Sequence, residues 1–176
     1  MKISFISICF SVILFVACNQ SSKPGNSDSK DVGTSLHEVQ LKNENLESVL
    51  HNYLEVKDAL VASDSTKVQV ASSGLSDALS KIKGCENTAK LAHKVVASNG
   101  LEEQRRLFTL LTSDVIPLFK QAEIKSGSIF MQFCPMANNG DGGYWLAKED
   151  QIRNPYYGDK MLKCGKVIEE FKPISN

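Results

Sequence analysis

Four stretches between residues 46 and 119 repeat apolar residues at the spacing of an amphipathic α-helix, and this periodicity limits the fold most strongly. Each stretch has one apolar face, which is stable only when another element covers it. Four such stretches in succession therefore predict a bundle of about four helices. The predicted helices cover residues 46–61, 68–84 and about 86–97, and the last begins near residue 101.

The fourth predicted helix contains Pro117 within its apolar pattern. Proline has no N–H to donate, and its ring clashes with the carbonyl group one turn earlier. We therefore expect a kink or a break in this helix around Ser113.

The pattern changes after Lys125, where short β-forming stretches alternate with turns. Residues 128–134 alternate partly and are rich in β-forming side chains, which predicts a strand. The stretches YWLA and CGKVIEEF predict two more strands, whereas ANNGDGG and RNPYYGDK are turn-forming. The whole pattern predicts an α+β, mostly helical fold, in which a bundle of about four helices is followed by a small C-terminal β-ribbon.

The N-terminus has the pattern of a secretory signal peptide. One lysine precedes an apolar run from Ile3 to Ala17, which is short for a membrane-spanning helix. The run ends in FVAC, which resembles the bacterial lipobox, with Phe15 where leucine is commoner. That resemblance implies that Cys18 becomes the lipid-modified first residue of the mature protein. The alternative is an ordinary signal peptide that is cleaved after Ala17.

The division of the chain follows from this leader. Residues 1–17 are predicted to be removed, and residues 18–42 are predicted to be a lipidated tether, because they are rich in Ser, Asn, Asp and Lys. Residues 43–176 are long enough for a single domain with one modest core. Loss of Lys2 leaves 19 of the 20 basic residues against 20 acidic ones. This near-neutral balance provides no electrostatic basis for binding nucleic acid.

Two pairs of sulfur-containing residues lie in the C-terminal region. Cys134 and Met136 are separated by one residue, so an extended chain can direct both side chains to one face. Met161 and Cys164 are three residues apart, so one helical turn would bring them to one side. Thiolates and thioethers are soft donors that select Cu(I) over hard cations. The four residues are therefore candidate ligands of a soft-metal site.

A disulfide between Cys134 and Cys164 is the alternative, because disulfides persist in exported proteins. It would stabilise the fold by about 3–4 kcal/mol, with both methionines as core filler. Spacing alone slightly favours this disulfide over a metal. Cys85 is the third thiol after the predicted anchor, and His93 is the one histidine retained as an auxiliary ligand.

Motifs of common enzyme classes are missing from the sequence. It has no glycine-rich phosphate loop, dinucleotide fingerprint, metalloprotease spacing or nucleophile elbow. A thiol redox enzyme is disfavoured because no Cys-x-x-Cys is present. The NNGDGG stretch has glycines where a calcium loop needs oxygen-bearing side chains, so we interpret it as a turn. We therefore expect no enzymatic activity.

The chain resembles domain-of-unknown-function family 3347. The resemblance covers roughly residues 45–170 and is most specific after Phe130, while Leu111–Thr112 replaces the Leu-Ser step that is common in the family. Members occur as small exported lipoproteins and as C-terminal extensions of heavy-metal efflux adaptors, and their biochemistry is not established. This setting implies copper or silver handling. The matching residues are Gln104, Arg105, Phe108, Cys134, Pro135, Met136, Ala137, Gly142, Trp145, Leu146, Ile152, Asn154, Pro155, Tyr156, Gly158, Met161, Leu162, Cys164 and Gly165.

Together these features predict a lipid-anchored, non-enzymatic protein of the bacterial cell envelope, at the outer membrane and facing the periplasm. It would bind Cu(I) or Ag(I) and buffer the metal or pass it to a heavy-metal efflux adaptor. Cys134 and Cys164 are the predicted thiolate ligands, and Cys18 carries the lipid. Met136 and Met161 are the predicted thioether ligands. The alternative is a non-catalytic envelope interaction or scaffold domain with a structural disulfide, because the aromatic residues of the ribbon are typical of interfaces.

Overall fold

The computed structural model describes residues 38–174, which form four α-helices and two small antiparallel sheets, one of two strands and one of three. This arrangement confirms the predicted α+β, mostly helical fold. The predicted signal peptide, the anchor residue Cys18 and His37 lie outside the described residues. No described helix is both long and apolar enough to cross a membrane. The elements are β1 (Gln40–Leu41), α1 (Glu44–Val61), α2 (Ser65–Ser80), α3 (Glu86–Ala97), α4 (Leu101–Lys120), β2 (Ile124–Ser126), β3 (Ile129–Cys134), β4 (Gly143–Ala147) and β5 (Lys166–Phe171).

Short polar side chains determine where the first two helices begin. The Asn43 side-chain oxygen accepts hydrogen bonds from the backbone N–H groups of Asn45 and Leu46, at 3.0 and 3.3 Å. The Asp64 carboxylate accepts the N–H of Lys67 at 3.0 Å. These caps satisfy donors that have no partner inside the helix. The connection between α1 and α2 is short, which makes the two helices antiparallel neighbours.

A kink or a break was expected in α4 around Ser113; the helix is not broken there and runs to Lys120. Pro117 lies in the last turn, where proline removes only the one backbone hydrogen bond to the Ser113 carbonyl. Val115 and Phe119, on either side of the proline, are buried in the core. We attribute the intact helix to this packing, which offsets the lost hydrogen bond.

Three antiparallel strands form the sheet that carries one of the candidate site residues. These are the three predicted C-terminal strands, and β3 is the central one, with β4 on one side and β5 on the other. Cys134 ends β3 opposite Gly143, and its neighbour Phe133 lies opposite Lys166. The register between β3 and β5 shifts so that Ile168 has no direct partner, which is a β-bulge on the edge strand.

The tether was predicted to end at residue 42, but the folded part of the chain begins before that point. Val39 and Leu41 are buried, and β1 pairs antiparallel with β2. The apolar residues of this stretch alternate around Gln40, as in a strand with one buried face. This alternating pattern is only three residues long and is surrounded by polar residues. It is therefore too short to predict a strand from the sequence.

A row of aromatic rings connects the helices to the sheet. Tyr53 of α1 stacks on Phe108 of α4, with ring centroids 5.3 Å apart. Tyr156 lies 5.9 Å from Phe108 and meets Trp145 of β4 edge-on at 6.2 Å. Buried aromatic pairs of this kind contribute both apolar area and a preferred geometry. The row therefore couples the position of the sheet to the helical core.

The Tyr53 hydroxyl supplies a polar link at the same junction. It shares a hydrogen bond of 2.8 Å with the Thr112 hydroxyl and accepts the backbone N–H of Leu146 at 3.2 Å. Both bonds are buried, so neither partner is compensated by water when the hydroxyl is removed.

We predict that Tyr53→Phe lowers the free energy of unfolding by about 1–3 kcal/mol, because it leaves the Leu146 N–H without an acceptor. Urea denaturation of the full-length protein measures this loss. The control is Tyr144→Phe, since the Tyr144 side chain is 44% exposed; its effect should stay within about 0.5 kcal/mol. Equal effects of the two substitutions would contradict a role of the buried hydroxyl.

Candidate soft-metal and thiol site

The sulfur atoms of Cys134 and Cys164 lie 2.7 Å apart. In a disulfide the two sulfur atoms are about 2.05 Å apart. Two thiolate sulfurs that bind the same tetrahedral metal ion through bonds of about 2.3 Å are roughly 3.8 Å apart. The observed distance falls between these values. The fold therefore brings together the two cysteines that the sequence singled out, in a position from which either arrangement is a short movement away.

The sheet register explains why residues 30 positions apart meet. Cys134 is the last residue of β3, and β5 returns antiparallel along that strand with Lys166 opposite Phe133. Cys164 lies two residues before Lys166, so it arrives beside the end of β3. Its N–H donates to the carbonyl of Met161 at 3.0 Å, which closes a turn just before the strand.

Both predicted methionine ligands contact the cysteine pair through their backbones. The N–H of Met136 donates to the Cys164 sulfur, and the carbonyl of Met161 accepts the Cys164 N–H. The Met136 side chain is 52% exposed, and Met161 is partly buried. The structure therefore places both methionines next to the pair, while the contacts that it defines are backbone contacts.

The neighbouring thiol dominates the acidity of Cys164. The hydrogen bond with Cys134 raises the pKa of the Cys164 thiol, and burial and the negative charge of an ionised Cys134 act in the same direction. The N–H of Met136 opposes this effect because it stabilises the thiolate. Cys164 is consequently a protonated thiol at neutral pH, and any metal that binds it must displace a proton.

Close packing surrounds the pair on the Trp145 side. A Cβ atom added at Gly165 would lie 2.8 Å from Cη2 of Trp145 and 3.0 Å from the Phe133 carbonyl oxygen. The φ angle of Gly165 is +145°, a value that side-chain-bearing residues rarely adopt. Glycine is thus required directly after Cys164. Trp145 is the only tryptophan in the chain, so its fluorescence reports on this site.

Asn154 holds the loop that carries Cys164. Its side-chain amide donates to the carbonyl of Cys164 at 2.8 Å, and its side-chain oxygen accepts the N–H of Tyr156 at 2.8 Å. Its own N–H donates to the carbonyl of Leu162 at 2.9 Å. The Asn154 side chain is fully buried, so these bonds face no competition from water. One residue thereby closes the loop between β4 and β5.

Arg105 of α4 attaches the same loop to the helices. Its guanidinium donates to the carbonyl of Pro155 at 2.9 Å, to the Ser63 hydroxyl at 3.0 Å and to the carbonyl of Leu60 at 3.3 Å. Burial lowers the pKa of Arg105 from its ordinary value, although the group stays charged at all accessible pH values. Arg105 thus joins the α1–α2 turn to the loop before Cys164.

Two tyrosines contact the segment between β3 and β4. Tyr156 donates its buried hydroxyl to the carbonyl of Tyr144 at 2.7 Å, and Tyr157 donates to the carbonyl of Met136. The residue after Met136, Ala137, begins the turn around Asn138, which is held by a bond from the Asn138 amide to the Gly142 carbonyl. The NNGDGG stretch is therefore a turn, as predicted.

The remaining candidate ligands lie elsewhere. Cys85 is buried at the start of α3, where burial raises the pKa of its thiol and the charges of Glu86 and Asp114 act in the same direction. His93 is exposed on α3. Within residues 38–174, no group of three or more His, Cys, Asp and Glu side chains is arranged to hold a metal ion. A site at the pair therefore has two thiols as its strong donors.

The helical region matches a known family model. Residues 49–127 match the model described as Protein of unknown function (DUF3347). Over these residues the chain is similar to this family. The DUF3347 match extends from within α1 to just past β2. It covers fewer residues than the resemblance described above, which spans residues 45–170. Both cysteines of the pair lie C-terminal to the match. No curated protein and no solved structure matches the chain.

We predict that Asn154→Asp lowers the free energy of unfolding by about 1–3 kcal/mol, because it removes the donor to the Cys164 carbonyl and turns a carboxylate toward it. It should also lower the yield of the 134–164 disulfide in a fixed glutathione buffer, since Cys164 is held less firmly. Urea denaturation and peptide mapping measure the two effects.

Asn139→Asp is the matched control for this substitution. Asn139 is exposed, and aspartate also tolerates its φ angle of +60°. Its stability and disulfide yield should equal those of the parent protein. If Asn154→Asp also equals the parent, Asn154 does not hold Cys164 in place.

Proposed function

We propose that the chain is a lipid-anchored protein of the bacterial cell envelope that binds a soft metal ion, Cu(I) or Ag(I), through Cys134 and Cys164. The observation that supports this most strongly is the 2.7 Å separation of the two sulfur atoms. In this proposal the protein buffers the metal or passes it to a heavy-metal efflux adaptor. The lipid on Cys18 would keep it at the membrane, at the outer membrane facing the periplasm.

The number and type of donor atoms in the site determine which metal ion it can bind. Structural zinc requires four strong ligands, and calcium and magnesium require oxygen ligands. Two thiols fit neither requirement, whereas soft Cu(I) and Ag(I) ions are held by few sulfur donors. The residues present therefore fit a soft monovalent ion best.

Metal binding requires a small opening of the pair. The sulfur atoms must move apart by about 1 Å from 2.7 Å to reach the roughly 3.8 Å that shared coordination needs. Cys164 lies in a turn, so its side chain has more freedom than that of Cys134 inside the sheet. The backbones of Met136 and Met161 contact Cys164. In this proposal both side chains rotate to add thioether sulfur, and that of Met136 is half-exposed.

The alternative function is a non-catalytic envelope scaffold in which the same pair is a permanent disulfide. The sulfur separation favours this as well, because closure needs a movement of less than 1 Å. A disulfide that spans 30 residues would stabilise the fold by about 3–4 kcal/mol in the loop-entropy account. The two functions differ in the oxidation state of the cysteines inside the envelope.

We predict that the full-length protein, reduced anaerobically in detergent, binds about one Cu(I) per chain in competition with a chromogenic chelator. Cys134→Ser and Cys164→Ser should each weaken binding by at least about 100-fold, more than loss of an outer hydrogen-bond partner costs. Trp145 emission should change in step with binding, since the indole packs on Gly165 beside Cys164.

Cys85→Ser is the control. Cys85 lies at the start of α3, so this substitution should leave Cu(I) binding unchanged. Equal competition by the Cys134→Ser/Cys164→Ser double variant would refute the metal assignment. Protein isolated from the envelope with every chain cross-linked between residues 134 and 164, and inert to Cu(I) until reduced, would support the scaffold instead.

A further inference from the structure

The two cysteines differ in how far solvent reaches them. Cys134 is 0% exposed and lies inside the sheet opposite Gly143. Cys164 is partly exposed and lies in the turn before β5. A reagent from solution therefore meets Cys164 first.

The separation of the two sulfur atoms also suits thiol–disulfide exchange. The thiolate is the nucleophile in thiol–disulfide exchange. The buried partner at 2.7 Å is positioned to attack Cys164 without movement of the strands.

We propose that Cys134 and Cys164 form a reversible dithiol–disulfide couple, in which Cys164 exchanges with an external disulfide or dithiol and Cys134 is the internal resolving sulfur. The proposal deepens the proposed function by adding redox control of the same site, and only its metal consequence rests on that function. The thiol chemistry itself requires no metal.

The oxidation proceeds in two balanced steps. The Cys164 thiolate attacks one sulfur of an external disulfide, which forms a mixed disulfide and releases the first external thiolate. The Cys134 thiolate then attacks the Cys164 sulfur, which forms the internal disulfide and releases the second external thiolate. Two electrons pass to the external disulfide, and the two protons lost by the cysteines are taken up by the released thiolates. An external dithiol reverses both steps.

Redox exchange determines whether metal can bind. A disulfide has no thiolate to offer, so the oxidised pair cannot hold Cu(I), and reduction restores both donors. Because metal must displace protons from the same sulfur atoms, metal and external disulfide compete for one reduced state. Bound metal should therefore protect the pair from oxidation.

The test uses the aromatic disulfide 5,5′-dithiobis(2-nitrobenzoate) on metal-free, full-length protein that carries Cys85→Ser. With Cys134→Ser, Cys164 should form a stable mixed disulfide rapidly. With Cys164→Ser, the fully buried Cys134 should react more than about 100-fold more slowly, since access of the reagent limits the rate. With both cysteines present, two thiolates should be released per chain, and peptide mapping should show the 134–164 cross-link.

Three results would overturn the proposal. Equal rates in the two single-cysteine proteins would remove the difference between Cys164 and Cys134. A stable adduct on both sulfurs of the parent, without the internal cross-link, would exclude Cys134 as the resolving sulfur. First modification at Cys134, seen by mapping early-quenched parent protein, would reverse the order. None of these results depends on metal binding, so failure here and failure of the proposed function are distinguishable.

Discussion

The antiparallel return of β5 along β3 is the constraint on which the candidate site depends. Its register sets Lys166 opposite Phe133, and this carries Cys164 to the end of the strand that holds Cys134. The returning chain can reach that position only because Asn154 closes the intervening loop with buried hydrogen bonds. Arg105 joins this loop to the helices. The pairing of β5 with β3 thus places the two cysteines side by side, and contacts from the loop and the helices hold them there.

Much of the fold could be predicted from periodicity, because the apolar residues on the buried face of a helix or a strand recur in the sequence at a fixed spacing. The four helices and three C-terminal strands follow this rule. Pro117 did not break α4, since proline in a last turn removes one hydrogen bond while the buried neighbours Val115 and Phe119 remain packed. The short strands β1 and β2 were not predicted, because two and three residues are too few to establish a period.

The candidate site was harder to predict, because its geometry comes from long-range pairing. Spacing alone suggested that Cys134 and Cys164 could meet, yet only the register of β5 on β3 brings them to 2.7 Å. Met136 and Met161 were chosen for their thioether sulfur, whereas their defined contacts are made by backbone groups. Asn154 is an ordinary turn residue by composition, and its role depends on burial that no local pattern reveals.

The central claim is that the paired cysteines form one soft-metal site, and X-ray absorption at the copper edge of the Cu(I)-loaded, full-length protein tests it most directly. The account predicts that sulfur atoms alone surround the copper, at least two of them, and that this shell is lost in the Cys134→Ser/Cys164→Ser protein. A first shell dominated by nitrogen or oxygen would contradict the account. So would a sulfur shell that persists without the two cysteines.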